Sequence, residues 1–360
     1  MVKLGIEMPP SFLDALAERL GVEWGNIKAA QARGQAKKAE IRSALTEFDS
    51  DDTVVVVFGS LARDEFTEGS DIDWTFLIDG SADPSHLDLA REIDARVGKA
   101  AAKAPGREGT FGTMAFSHDI IHQIGGQDDT NRNTTRRILL LLESEPVGRP
   151  DAYTRVVTKL VKRYILEDRG FVRGSGEYHV PRFLLNDFAR YWWTMAVDFA
   201  YKQRTRFGEG AAIRNVKLRM SRKMTYVSGL LTCFGCHLKI GNLVGRPGCP
   251  ETGAEAECID CLRRRLRRTP LDILAEALLQ FHHLEEAGRK LLGAYDRFLG
   301  ILSDTDQRNH LEDLPEDQYD RDEVFQEARR VSHDFRRGLL QLFFDQKSGL
   351  FDLTKNYGVF

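Results

Sequence analysis

The stretch TVVVVFGSLARDEFTEGSDIDWTFLID, residues 53–79, constrains the fold more than any other part of the sequence. It holds two short apolar runs rich in β-branched and aromatic residues, which read as buried strands. The first run ends in Gly59-Ser60 and the second opens with Asp71-Ile72-Asp73. On an extended backbone, residues two apart point to one face, so Asp71 and Asp73 stand side by side while Ile72 turns into the core. Two carboxylates so placed repel each other unless a cation lies between them. Hard divalent ions that take oxygen ligands are the natural partners. A pair of Mg²⁺ ions about 3.5–4 Å apart can hold the entering and leaving oxygens of an in-line phosphoryl displacement. A glycine at the end of the first strand lets a phosphate approach the backbone, and the Ser60 hydroxyl with the N–H groups of a following helix can hold it. The competing reading makes Asp71 a strand cap and Asp73 a residue on a solvated edge.

Around this stretch the pattern alternates. A helix is expected from roughly His86 to Lys103, and the Gly-rich turn APGREGTFGT leads to a third strand region, MAFSHDIIHQIGG, closed by Gly125-Gly126. From Asn131 onward the apolar spacing is helical almost throughout. Leu185, Phe188, Trp192, Met195 and Phe199 define one helix face; Ile213, Val216, Met220, Met224, Val227 and Leu231 define another. The expected organisation is N-terminal helices over 1–48 packing on a catalytic head at 49–130. A helical domain follows over 131–360, with a Cys-rich insert at 233–261.

Gly-Ser, a spacer of about ten residues and Asp-x-Asp, here FGSLARDEFTEGSDIDW, resembles the signature of the DNA polymerase β-like nucleotidyltransferase superfamily. The resemblance covers residues 50–125. It implies an α+β fold, with a small polymerase β-like head (a mixed sheet with helices on one side) followed by a larger all-helical domain. It implies two Mg²⁺ ions on Asp71 and Asp73, and β- and γ-phosphates seated by Gly59, Ser60 and the adjoining Ser70. It also implies a third carboxylate on a neighbouring strand, a metal ligand and a base towards the incoming hydroxyl. AFSHDIIHQI offers Asp119 for this role; Asp128 and Asp129 are the alternatives. In such enzymes a lysine and a hydroxyl residue of the helical domain contact the triphosphate. Lys217, Ser221 and Arg214, on one flank of the helix through Met220, match that arrangement, against the alternative of a solvated basic face. By the same spacing Arg222 points away from the core.

Two further features carry chemistry. Cys233/Cys236 and Cys258/Cys261 form C-x-x-C pairs at a separation close to that of zinc ribbons, with Cys249 in the loop between them. A structural Zn²⁺ is one reading, a disulfide or inert thiols the other. RRRLRR at 263–268 could grip the phosphates of an oligonucleotide or balance the acidic segment at 303–322. No aromatic residues interleave it, which disfavours a stacking platform.

Composition sets outer bounds. The 360 residues are 42% hydrophobic and 29% charged, an ordinary globular balance, and too many for one core. The net charge of −3 confines any attraction for nucleic acid to local patches. No apolar run approaches the ~20 residues needed to span a bilayer. The first residues resemble neither a signal peptide nor a transit sequence, so a cytoplasmic protein without membrane contact is expected. The expected activity is Mg-dependent transfer of a nucleoside monophosphate from an NTP or dNTP to a hydroxyl, releasing pyrophosphate. A nucleic-acid or oligonucleotide 3′ end is the preferred acceptor, as in polymerising or defence-signalling members. The alternatives are transfer to a protein or small molecule, modification of tRNA by a toxin, and a regulatory protein that binds nucleotide without chemistry.

Overall fold

The computed structural model describes residues 11–48, 50–100, 113–168, 180–206, 208–238, 240 and 254–358. Cys249 and the APGREGTFG segment lie outside them. Helices α1 (Phe12–Leu20) and α2 (Gly25–Leu45) lead into β1 (Thr53–Phe58), the short α3 (Gly59–Ala62) and β2 (Asp73–Ile78). Next come α4 (Ser85–Ala100), β3 (Thr113–Phe116), α5 (Ser117–His122), α6 (Asn131–Leu142) and β4 (Ser144–Pro146). The strands form one mixed sheet in the order β3-β2-β1-β4, with β1 antiparallel to both neighbours and β2 parallel to β3.

Alternation along β1 sends its side chains into two cores. Val55 and Val57 join Ile72, Trp74, Phe76 and Ile78 beneath α2 and α4. Val54, Val56 and Phe58 face the helices that follow the sheet. Ile72 and Trp74 are fully buried. Burial of such side chains stabilises by roughly 1.5–3 kcal/mol each. A one-residue slip of β2 would forfeit that and bury the aspartates instead, so core packing fixes where Asp71 and Asp73 point.

The remainder is helical: α7 (Asp151–Glu167), α8 (Arg182–Thr205), α9 (Ala211–Lys217), a π-helical turn (Leu218–Arg222) and α10 (Lys223–Leu238). Then follow α11 (Ala254–Arg265), α12 (Pro270–Gln280), α13 (Glu285–Ser303), α14 (Thr305–Asp313), α15 (Glu323–Phe344) and α16 (Leu350–Leu353). Among the described residues no helix is long and apolar enough to cross a membrane.

Two elements tie the head to the helical body. β4 comes from beyond residue 130, yet its Ser144 pairs with Phe58 of β1. Helix α2 has Ile27 and Ala30 in the core of the body and Ile41 and Leu45 in that of the head. Trp24 offers no capping side chain, and the α2 N-terminus is held by Asp296 of α13, which accepts from the N–H groups of Asn26 and Ile27 at 2.9 and 3.0 Å. Helix α1 packs on α12, where Asp272 accepts from the Leu13 N–H at 3.1 Å.

Candidate active site

Phe58 ends β1 with Asp73 directly opposite on one side and Ser144 on the other. Gly59 and Ser60 therefore emerge beside the start of β2. Gly59 has φ +65°, and a Cβ there would stand 3.1 Å from Asp73 Oδ2. Glycine is required both by the left-handed backbone and by the approach of the carboxylate. The Ser60 side chain is half-buried and has no hydrogen-bond partner among the described residues.

Asp71 and Asp73 are also half-buried and face each other electrostatically. Burial first, then the neighbouring Asp71 charge, pushes the Asp73 carboxyl up to about 7, against the opposing pull of Arg222 and Arg63. The pair thus lacks positive charge.

Beneath it runs a chain of buried ions. Arg63 Nε donates to Glu65 at 2.9 Å and Arg63 Nη1 to Glu143 at 2.5 Å. Glu65 accepts from the Tyr295 hydroxyl at 2.7 Å. Glu143 accepts from Arg222 at 3.0 Å and from Thr225 at 3.1 Å. Burial favours a protonated Glu143, but Arg63 and Arg222 together hold it below the usual carboxylate range. Lys38 adds a second tie: its ammonium, buried on α2, meets Asp64 at 2.7 Å and Glu145 at 2.6 Å. Asp64 is the one described non-glycine residue with positive φ, 58°, at the end of the Gly-Ser helix. These ties fix the loop that presents Gly59 and Ser60.

The structure brings together Asp71, Asp73, Gly59, Ser60 and Lys217. Burial, then the nearby Arg308, lowers Lys217 to about 8, while Asp71 pulls it the other way. The remaining expected residues are placed elsewhere or used differently. Ser70 is buried and closes its own loop, accepting from the Thr67 N–H at 3.1 Å. Ser221 is buried against the Tyr295 hydroxyl. Arg214 reaches back to the carbonyl of Glu209.

Asp119 does not lie on a strand. β3 ends at Phe116, opposite Ile78 at the far end of β2 from Asp73, and Ser117 begins a helix on which Asp119 is exposed. Of its alternatives, Asp128 is exposed, and Asp129 is buried under Arg137 and Arg190 at 2.9 and 3.1 Å. The third carboxylate nearest the pair in influence is Glu143, whose oxygens are occupied by arginine and threonine. Among the described residues no group of three or more His, Cys, Asp or Glu side chains is arranged to hold a metal ion.

That finding also bears on the cysteines. Cys236 contacts the Cys258 and Cys261 thiols and donates to the Thr232 carbonyl at 3.6 Å, but Cys233 is absorbed into the apolar core. Contact with Cys258 holds Cys236 well above the usual thiol range. For the zinc reading, the described residues offer no group arranged to hold the ion.

The arginine hexad does not answer the acidic segment at 303–322. Arg265 is buried on Glu276 at 2.7 Å, Arg268 pairs with Asp272 at 2.7 Å, and Arg263 pairs with Asp260 at 3.3 Å.

With this geometry in view, a comparison with known families gives a direct result. Residues 38–104 match the family model of a nucleotidyltransferase domain. The match agrees with the polymerase β-like resemblance and spans β1, the Gly-Ser helix, β2 and α4. Neither the curated proteins nor the solved structures yielded a match. The nucleotidyltransferase segment contains Asp71, Asp73, Arg63 and Glu65; Glu143, Lys217 and Arg222 come from outside it. Sequence reading missed Arg63, Glu65 and Glu143. Their signal was an Arg-x-Glu placed between two buried strands and a lone glutamate closing an apolar helix, charges that need partners inside the protein.

Proposed function

We propose that the chain transfers a nucleoside monophosphate from an NTP or dNTP to a hydroxyl acceptor, a nucleic-acid or oligonucleotide 3′ end, with release of pyrophosphate. One observation carries this reading: Asp73 stands beside Asp71 with no ion-pair partner among the described residues, where a glycine with positive φ and an unpartnered serine hydroxyl converge. The donor set, two half-buried carboxylates without an ion-pair partner among the described residues, fits Mg²⁺. When bound, Mg²⁺ would neutralise the phosphates and orient the reacting oxygens.

The chain's own residues supply the rest. Asp73, pushed up to about 7, is partly protonated at neutral pH, and a cation would displace that proton. Gly59 leaves the space that a phosphate oxygen needs, and the Ser60 hydroxyl donates to it. Lys217 brings a positive charge to the far side of Asp71, where the polyphosphate would extend. Arg63, Glu143 and Arg222 orient the carboxylate pair and touch no substrate. This reading leaves Asp119 out, since it is exposed beyond the other end of β2 from Asp73.

The test is incubation with each labelled NTP and dNTP and Mg²⁺, with and without a single-stranded oligonucleotide. Product lengthened by one or more nucleotides, with pyrophosphate released, is expected. Nucleotide binding without pyrophosphate release under any acceptor would favour the regulatory alternative instead.

A further inference from the structure

The segment from α9 through the π-helical turn has two working sides. One carries Lys217 and Arg222 towards the aspartates. The other carries Asn215, Arg219 and Lys223, spaced four residues apart, away from them and towards α15. On that second side lies a cavity of about 290 Å³, near the lower size of small-molecule sites. Phe199, Asn215, Arg219, Tyr319, Phe325 and Arg329 are among its lining residues.

Three observations mark this cavity as unfinished without a ligand. The Asn215 amide, half-buried in the lining, has no hydrogen-bond partner among the described residues. Among the described residues Arg219 makes no ion pair, and Arg329 beside it adds to burial in lowering its pKa. Lys223 is likewise unpaired, and after burial its pKa is lowered by Arg336 and by Arg219. Arg329, Arg219, Lys223 and Arg336 therefore form a continuous run of cations that repel one another. The two carboxylates at the rim answer it only at Arg329. Glu316 accepts from Gln203 at 2.9 Å, and Asp320, 92% exposed, meets Arg329 at 3.4 Å.

We propose that this is a second nucleotide-binding site, separate from the catalytic pair. The base enters the cavity, where the Asn215 amide bonds its edge and the Phe199 and Tyr319 rings contact its face. Phosphate lies on Arg219 and Arg329 and continues along Lys223 and Arg336. A row of four cations is longer than one phosphate needs and suits the backbone of a single strand. The shared chemistry is nucleotide phosphate, whether from a free nucleoside phosphate or from a unit of a strand. The site stands on the cavity and its cations and not on the nucleotidyl-transfer reading.

The experiment uses the full chain with Asp71→Ala and Asp73→Ala and no divalent cation, so that catalysis and metal-mediated binding are both absent. ATP is titrated by calorimetry and a fluorescein-labelled single-stranded oligoadenylate by polarisation. Saturable binding of either is expected, the oligonucleotide identifying a strand and ATP alone a free nucleotide. Arg219→Glu with Arg336→Glu should weaken binding by roughly tenfold or more and reduce the salt slope by about 1.4 for a single strand. Asn215→Ala should weaken it without changing that slope, while Arg91→Glu, on the exposed face of the head, should change neither. Absence of binding to both probes overturns the proposal. So does binding that the Arg219, Arg336 and Asn215 changes leave intact.

Discussion

Two acidic positions flank the end of β1, one on each side of Phe58, and they have opposite electrostatic fates. Glu143, just ahead of β4, is buried with two arginines and a threonine on its oxygens and is held ionised. Asp73, opening β2, is shielded from water beside another carboxylate and is driven towards its protonated form. Both are carboxylates near the same arginines. What separates them is direct pairing, which makes one a strut and leaves the other waiting for a cation. Unbalanced charge, more than burial or residue type, identifies the working group.

The comparison can be broken most severely from either side. Replacing both Asp71 and Asp73 with alanine should abolish nucleotidyl transfer while leaving the fold intact, as thermal melting and product assays would show. Replacing Glu143 with alanine should do the reverse in kind: it strands Arg222 in a buried site and leaves Arg63 with Glu65 alone. A loss of about 3–5 kcal/mol of stability is expected by denaturant titration. If Glu143→Ala folds as stably as the parent, it is no strut.

The next expected effect is of opposite sign. A carboxyl whose pKa is raised by folding weakens the folded state as pH climbs from the ordinary aspartate value towards 7, and that cost is complete above it. Asp73→Asn should therefore stabilise the cation-free protein above pH 7 and have little effect near pH 4. Glu143 behaves inversely: its contribution is present above the ordinary glutamate value and lost on acidification.

Smaller effects belong to the pH profile and to Lys217. At low Mg²⁺, kcat/KM should rise through about pH 7 as Asp73 loses its proton and fall beyond about 8 as Lys217 loses its charge. Added Mg²⁺ should move the rising limb to lower pH, because cation and proton compete for one group. Lys217→Met should remove the falling limb and raise KM for the triphosphate by roughly tenfold, the effect of one lost charge-assisted contact.

The head was legible because its strands are short, fully buried and β-branched, and because Gly59, Asp71 and Asp73 do work that few other residues can do. The apolar stripe of α9 and α10 was equally plain: Ile213, Val216, Met220, Met224, Val227 and Leu231 are all buried. Polar phase on that helix was not. The π-helical turn at Leu218–Arg222 adds a residue to the helical repeat, so Arg222, expected to point outward, reaches Glu143 instead. The third strand was read too long, since nothing in AFSHDIIHQI marks the change at Ser117 from strand to helix. In α8, Leu185 and Phe188 are buried as their spacing implies, but the stripe thins towards Trp192, Met195 and Phe199, where the helix passes beyond the core to the rim of the cavity. Long-range partners such as Tyr295 and Glu65, far apart in sequence, leave no periodic trace.

The most direct test of the central claim follows the carboxyl ¹³C shift of Asp73 against pH, with and without Mg²⁺, assigned by comparison with Asp73→Asn. The charge deficit predicts titration near pH 7 in the absence of cation and a displacement to well below that value when Mg²⁺ is added. Titration in the ordinary aspartate range, unmoved by Mg²⁺, would show that nothing at the start of β2 is waiting for a metal.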